Sequence, residues 1–90
     1  MIANDLPGAD LVQRGLRDLE QGAESVEALL VSLSAPRLRA LGIAVPAPLA
    51  NADVRLYRLL AERHGAGAHS RYNALVRRIV SFQRAAACAS

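Results

Sequence analysis

Residues 23–33 read AESVEALLVSL, and they contain the clearest helical pattern in the chain. Their large apolar side chains recur at i, i+3, i+4 and i+7, a spacing that places them on one face of an α-helix. These side chains are Val26, Leu29, Leu30 and Leu33. Glu24 and Glu27 favour a helix start near Ala23, because carboxylates stabilise the positive end of a helix dipole. The stretch predicts an amphipathic helix with one buried face.

Helical periodicity continues on both sides of this stretch, and no segment shows the alternation typical of a β-strand. Helices are predicted at about 9–21, 23–33, 35–41, 52–64 and 70–88. Short connections favour antiparallel neighbours. The expected fold class is therefore all-α, a small antiparallel helical bundle of four main helices plus a short helix after Pro36.

The longest connection, residues 42–52, reads GIAVPAPLANA. Its two prolines disfavour a helix and predict an extended backbone. Ile43, Val45 and Leu49 are nevertheless apolar. We expect this segment to lie across the bundle as a lid over the core.

The length of 90 residues fits one helical domain, 1–90, with flexible ends at 1–8 and 87–90. The chain has no apolar run long enough to span a bilayer, and its first ten residues do not resemble a targeting peptide. We therefore expect a cytoplasmic protein with no membrane partner. Cys88 is the single cysteine, so neither an internal disulfide nor a cysteine-based metal site is expected, and no cofactor or metal is predicted.

The charge of the chain is uneven along its length. All eleven basic residues are Arg, and the net charge is +3. Residues 1–62 hold eight acids and six Arg, a net charge of −2, whereas residues 63–90 hold five Arg and no acid, a net charge of +5. This asymmetry indicates an anionic partner for the C-terminal part, or an acidic half of the protein against which it packs.

Four of these Arg lie at adjacent outward positions of the last predicted helix and form a candidate anion- or nucleic-acid-binding stripe. They are Arg71, Arg77, Arg78 and Arg84. The aromatic residues Tyr57, Tyr72 and Phe82 all occupy predicted core positions, so the sequence offers no platform for base stacking.

Residues 63–73, RHGAGAHSRYN, join the last two predicted helices. In a structural interpretation Gly65 ends one helix, Gly67 continues the turn and Ser70 caps the next helix. The segment RHGAGAH also resembles the signature of HEPN-type helical domains, an Arg and a polar residue followed by variable residues and a His. Many members of that family cut RNA without a metal.

The resemblance to HEPN-type domains implies a role for three residues. Arg63 would contact the phosphate, His64 would be the polar residue beside it, and His69 would act as acid or base. A metal-free ribonuclease needs such a proton carrier and a cation that stabilises charge on the phosphate. Arg63 and His69 are accordingly the candidate catalytic residues.

A second candidate for nucleic-acid recognition is the segment 27–42, which has the outline of a helix-turn-helix motif. In that interpretation Leu38 and Leu41 face the preceding helix, while Arg37 and Arg39 face outward. A kink caused by Pro36 explains the same residues without DNA binding.

Taken together, the residues predict a small cytoplasmic interaction protein that acts by binding rather than catalysis. Its partner would be another protein or a second copy in a homodimer. Gly15 within the first helix would permit close helix approach, which fits a symmetric dimer and also fits a tightly packed monomer. The alternatives are a nucleic-acid-binding protein that uses the Arg stripe and a metal-independent HEPN-like ribonuclease that uses Arg63 and His69.

Overall fold

All regular structure is helical within residues 5–89, the part of the chain that the computed structural model describes. The α-helices are α1 (Ala9–Glu20), α2 (Val26–Leu33), α3 (Ala35–Ala40), α4 (Ala52–His64) and α5 (Ala68–Ala89). A 3₁₀ turn, Gly65–Gly67, joins α4 to α5. The Cα radius of gyration is 12.5 Å, close to the value of about 12 Å expected for a compact chain of this length. The all-α prediction is confirmed.

The ends predicted to be flexible, 1–8 and 87–90, are only partly described. Residues 1–4 and 90 lie outside the described residues. Residues 87–89 form the end of α5, and a short turn over residues 5–8 leads into α1.

The helix α2 lies at the centre of the structure, where α1, α3, α4 and α5 all contact it. Residues 28–32 are buried without interruption, so α2 has nearly no solvent-facing side. The sequence pattern predicted a single buried face and was wrong in this respect. A helix that is apolar almost all round is expected where neighbours cover each side.

The helices α1 and α2 approach each other closely at Gly15, which is buried in α1. A Cβ atom at Gly15 would lie 2.5 Å from the carbonyl oxygen of Glu27 and would overlap the side chain of Val31. Val12 and Leu19 are buried on the same face of α1. The close helix approach that Gly15 predicted is therefore made within one chain.

The start of α2 is set by Ser25 rather than by Ala23, so the predicted start was three residues early. The Ser25 hydroxyl accepts a hydrogen bond from the Ala28 backbone N–H at 3.0 Å and donates one to Asp18 Oδ2 at 2.6 Å. These two bonds cap α2 and link it to α1. Glu24 lies before the helix, where its carboxylate pairs with Arg55 at 2.8 Å.

The segment 42–51 covers the core as the predicted lid. Val45 is buried, and Leu49 packs against the core cluster. The buried hydroxyl of Ser32 donates to the Ala28 carbonyl oxygen at 2.7 Å and accepts from the Leu49 backbone N–H at 3.0 Å. Arg39 Nη2 donates to the Val45 carbonyl oxygen at 2.9 Å. Two side chains thus hold the lid through its backbone.

The ends of α4 and α5 agree with the sequence pattern in part. Both bounds of α4 were predicted correctly, and Gly65 ends the helix with φ +54°. Asn51 occupies the N-cap position with φ +53°, but its side chain makes no capping bond. Ser70 was predicted to cap the last helix and instead lies inside it, because the 3₁₀ turn leads directly into α5 at Ala68.

No helix within residues 5–89 combines the length and the apolar character needed to cross a membrane.

Replacing Gly15 with Ala should lower the free energy of unfolding by about 1–3 kcal/mol, because the added methyl group meets backbone atoms that cannot move aside. Urea denaturation followed by circular dichroism measures the change. Gly67→Ala is the matched control, since the nearest atom to its added methyl is His64 Cβ at 3.8 Å, and it should change stability by less than about 0.5 kcal/mol. A Gly15→Ala variant as stable as the wild type would contradict the close contact.

Replacing Ser32 with Ala should lower the free energy of unfolding by about 1–3 kcal/mol, because the Leu49 N–H loses its acceptor. Hydrogen exchange at the Leu49 amide should accelerate in the variant. The control is Ser70→Ala, which removes an exposed hydroxyl from α5 and should stay within about 0.5 kcal/mol of the wild type. Unchanged exchange at Leu49 would mean that Ser32 does not hold the lid.

Candidate functional site

The four Arg predicted to form one stripe on α5 lie in two rows. Arg71 and Arg78 are separated by seven residues, nearly two full helical turns, and Arg77 and Arg84 have the same separation. Six residues separate Arg71 from Arg77, so the second row is rotated by about 120° around the helix axis from the first. All four side chains are exposed. The two rows therefore face different surroundings.

The row of Arg71 and Arg78 meets the C-terminal end of α4. Together with Arg63 and His64 these side chains line an open groove of about 370 Å³. We call it the basic groove. Its other lining residues are Val26, Glu27, Leu60, Ala74 and Leu75, contributed by α2, α4 and α5. Cations thus surround a largely apolar floor.

Two weak ion pairs border the basic groove. Arg78 Nη2 lies 3.4 Å from Asp10 Oδ1, and Arg14 Nε lies 4.0 Å from Glu27 Oε2. Both pairs are exposed enough for solvent to screen them. Arg63 has no acidic partner within residues 5–89, and the same holds for Arg71. The groove keeps an excess of positive charge.

His69 lies apart from the basic groove. Its ring centroid is 6.3 Å from that of Tyr57, and its Nε2 atom lies 3.2 Å from Asn73 Nδ2. His69 and Arg71 are two residues apart on α5, so their side chains project about 160° from each other. The ribonuclease hypothesis needs His69 and Arg63 at one phosphate, and His69 is not among the residues that line the groove with Arg63. The hypothesis stays a prediction.

The side chain of Tyr57 is 41% exposed, although the sequence pattern placed it in the core. Its ring centroid lies 5.6 Å from that of Tyr72, which is half-buried. Val54, one turn earlier on α4, is 53% exposed. Leu56 and Leu60 carry the buried face of α4, and Tyr57 lies beside that face rather than on it. An exposed aromatic ring is therefore available where none was predicted.

A second stripe of side chains on α5 lies beside the stripe that enters the core. Val76, Val80 and Gln83 are half-buried and, with Leu33 and Pro36, line an open cleft of about 320 Å³. We call this surface the apolar cleft; its remaining lining residues are Ser34, Arg37 and Ile79. The sequence pattern treated Val76 and Val80 as a widening of the core stripe. Val76 packs against the core cluster, so this widening is confirmed for Val76, while Val76, Val80 and Gln83 also line the cleft.

The helix-turn-helix interpretation placed Arg37 and Arg39 on an outward face. Arg37 is exposed and borders the apolar cleft. The guanidinium group of Arg39 instead donates to the Val45 carbonyl oxygen and holds the lid. The helix α3 has six residues, so it offers a short surface for reading bases.

Among residues 5–89, no group of three or more His, Cys, Asp or Glu side chains is placed to hold a metal ion. No protein-family model matches the sequence, and neither the curated proteins nor the solved structures contain a match. The resemblance to HEPN-type domains therefore rests on residues 63–69 alone.

In the presence of EDTA, the protein is expected to leave a labelled single-stranded RNA intact, because His69 is not among the residues that line the groove containing Arg63. Denaturing gel electrophoresis measures cleavage, with pancreatic ribonuclease as the positive control. Cleavage that disappears in His69→Ala, while the circular dichroism spectrum stays unchanged, would contradict this expectation and support the ribonuclease hypothesis.

Proposed function

We propose that this protein is a small helical interaction protein whose apolar cleft binds an acidic amphipathic helix of a partner protein. The observation that carries the proposal is the second stripe on α5, because Val76 and Val80 are only half-buried and leave apolar surface in an open cleft. We also propose that the helices form an antiparallel bundle, since a three-residue turn joins α4 to α5. The proposed location of the protein is the cytoplasm.

The shape of the apolar cleft favours a helix as its occupant. Val76, Val80 and Gln83 follow the four- and three-residue spacing with which one helix presents side chains to another. Leu33 and Pro36 form the opposite wall, so a groove runs beside α5. An amphipathic helix can lay its apolar face into such a groove.

The charges beside the apolar cleft favour an acidic partner. Arg77 and Arg84 are exposed and flank Val80 on the outer side of α5. Arg37 lies on the other wall of the cleft. Residues 63–90 contain no acid, so nothing on α5 offsets these charges. Glutamate or aspartate side chains flanking the apolar face of a partner helix would complement the three Arg.

A second copy of the chain fits the apolar cleft less well. In a symmetric dimer built on this surface, α5 of one subunit would face α5 of the other. Arg77 and Arg84 would then approach the same residues of the partner subunit, and like charges destabilise such an arrangement. Self-association is therefore an outcome that the experiment must detect.

A designed peptide with Leu at the a and d positions of its heptads and Glu at the flanking positions is the probe. Fluorescence anisotropy should show that the wild type binds it at least about tenfold more tightly than the same peptide with Lys in place of Glu. Val80→Asp should abolish binding, because a carboxylate enters the apolar contact. The double variant Arg77→Glu, Arg84→Glu should reverse the preference and bind the Lys peptide.

The matched control is the double variant Arg17→Glu, Arg58→Glu, which makes the same change of net charge at exposed positions on α1 and α4. It should keep the wild-type preference for the Glu peptide. If the two double variants changed peptide preference equally, net charge alone would explain the result, and the proposal would be contradicted. Sedimentation velocity of the wild type should give a monomer, and a dimer that Val80→Asp dissociates would make a second copy the occupant.

A further inference from the structure

The basic groove has the two features of a site for a small phosphorylated ligand. Three Arg and one His line it, and the half-buried side chains of Val26 and Leu75 supply its apolar floor. Its volume of about 370 Å³ lies within the range of roughly 300–1,000 Å³ typical of small-molecule sites. It lies on a different side of α5 from the apolar cleft, because Arg71 and Val76 project about 140° apart. The two surfaces can therefore act independently.

The charges of the basic groove are not balanced within the described residues. Its lining holds three Arg and one Glu, which gives +2 with His64 neutral. The bordering residues Arg14 and Asp10 add one charge of each sign, so the balance stays at +2. Bringing Arg63 and Arg71 to one groove costs electrostatic energy that an anion would recover. The arrangement favours a ligand with negative charge.

The spacing of the cations favours a ligand longer than one phosphate ion. Arg71 and Arg78 are about 10 Å apart along the helix axis. Arg63 and His64 approach the groove from α4. A guanidinium group matches the oxygens of a phosphate with two parallel hydrogen bonds. Several Arg at this spacing can hold a chain of phosphates or a phosphate at one end of a larger molecule.

We propose that the basic groove binds a nucleotide, either free or as the phosphorylated end of a nucleic-acid strand. Arg63, Arg71 and Arg78 hold the phosphates, and the base covers the aliphatic floor formed by the half-buried side chains of Val26 and Leu75. A phosphate ion alone would leave this floor exposed to water. Burial of the floor under a planar base contributes affinity that the phosphates cannot supply.

Isothermal titration calorimetry in EDTA at low salt tests the proposal with ADP as the probe. Pyrophosphate carries the phosphates without the base, and adenosine carries the base without the phosphates. ADP is expected to bind at least about tenfold more tightly than either of them. A 5′-phosphorylated oligothymidylate that displaces ADP would place the nucleotide at a strand end, and an oligonucleotide that does not displace it would leave the free nucleotide as the ligand.

Three variants locate the site. Arg63→Gln and Arg71→Gln should each weaken ADP binding at least about tenfold, because each removes a charge-assisted hydrogen bond to phosphate. Arg84→Gln removes the same charge from α5 outside the groove and should change the affinity by less than about twofold. Without ligand, Arg71→Gln should melt at the wild-type temperature or above it, since the substitution relieves repulsion with Arg63.

Any of the following results would overturn the proposal. ADP could fail to bind at low salt, or pyrophosphate could bind as tightly as ADP. The oligonucleotide could bind while ADP does not. Arg84→Gln and Arg71→Gln could also lose the same amount of affinity for ADP. Displacement of ADP by the acidic designed peptide would also overturn it, because both ligands would then share one unspecific cationic surface. Failure of that peptide to bind the apolar cleft leaves the ADP result unaffected, so the two proposals fail separately.

Discussion

The burial of α2 on nearly every side is the constraint on which the rest of the structure depends. A helix without a solvent-facing side needs neighbours all round, and α1, α3, α4 and α5 supply them. The approach of α1 is close enough to require glycine at position 15. Ser32, the polar side chain within the buried run 28–32, is fully bonded between the Ala28 carbonyl and the lid. The central helix thus determines both the packing of its neighbours and the path of the longest connection.

Different faces of α5 make different contacts. One stripe packs Ile79 and Phe82 into the core. The neighbouring stripe lines the apolar cleft, and one row of Arg enters the basic groove while the other flanks the cleft. Each of these surfaces follows from the 3.6-residue period of a single helix packed on one side only. The proposed functions of the protein therefore concentrate on a helix that leaves several of its faces open to solvent.

Much of the fold follows from local sequence signals. The bounds of α4 were predictable because Gly65 provides a residue that accepts positive φ. The start of α2 was predicted too early because Glu24 resembles an acidic first-turn residue. In the structure Glu24 lies before the helix and pairs with Arg55 of α4. Apolar spacing alone also could not show that α2 is covered all round, since Val31 and Ala28 fit either a core helix or an amphipathic one.

The candidate site was less predictable than the fold, for a physical reason. The exposure of Tyr57 depends on where neighbouring helices lie, and periodicity within one helix contains no such information. The spacing of the Arg residues on α5 does imply two rows, but it could not show that one row lies in a groove beside α4. His69 and Arg63 are close in sequence, yet only Arg63 lines the basic groove. Proximity in sequence across a turn does not establish proximity in space.

The enclosure of α2 also bears on how this chain can change during evolution. Almost any substitution in its buried run alters volume or polarity inside a packed interior, so few are tolerated without loss of stability. The outer faces of α5 carry no such restriction, and side chains there can be exchanged while the fold persists. The short helix α2 therefore restricts substitution, whereas the exposed faces of the long helix α5 permit it. New binding preferences can arise on α5 without altering the core around α2.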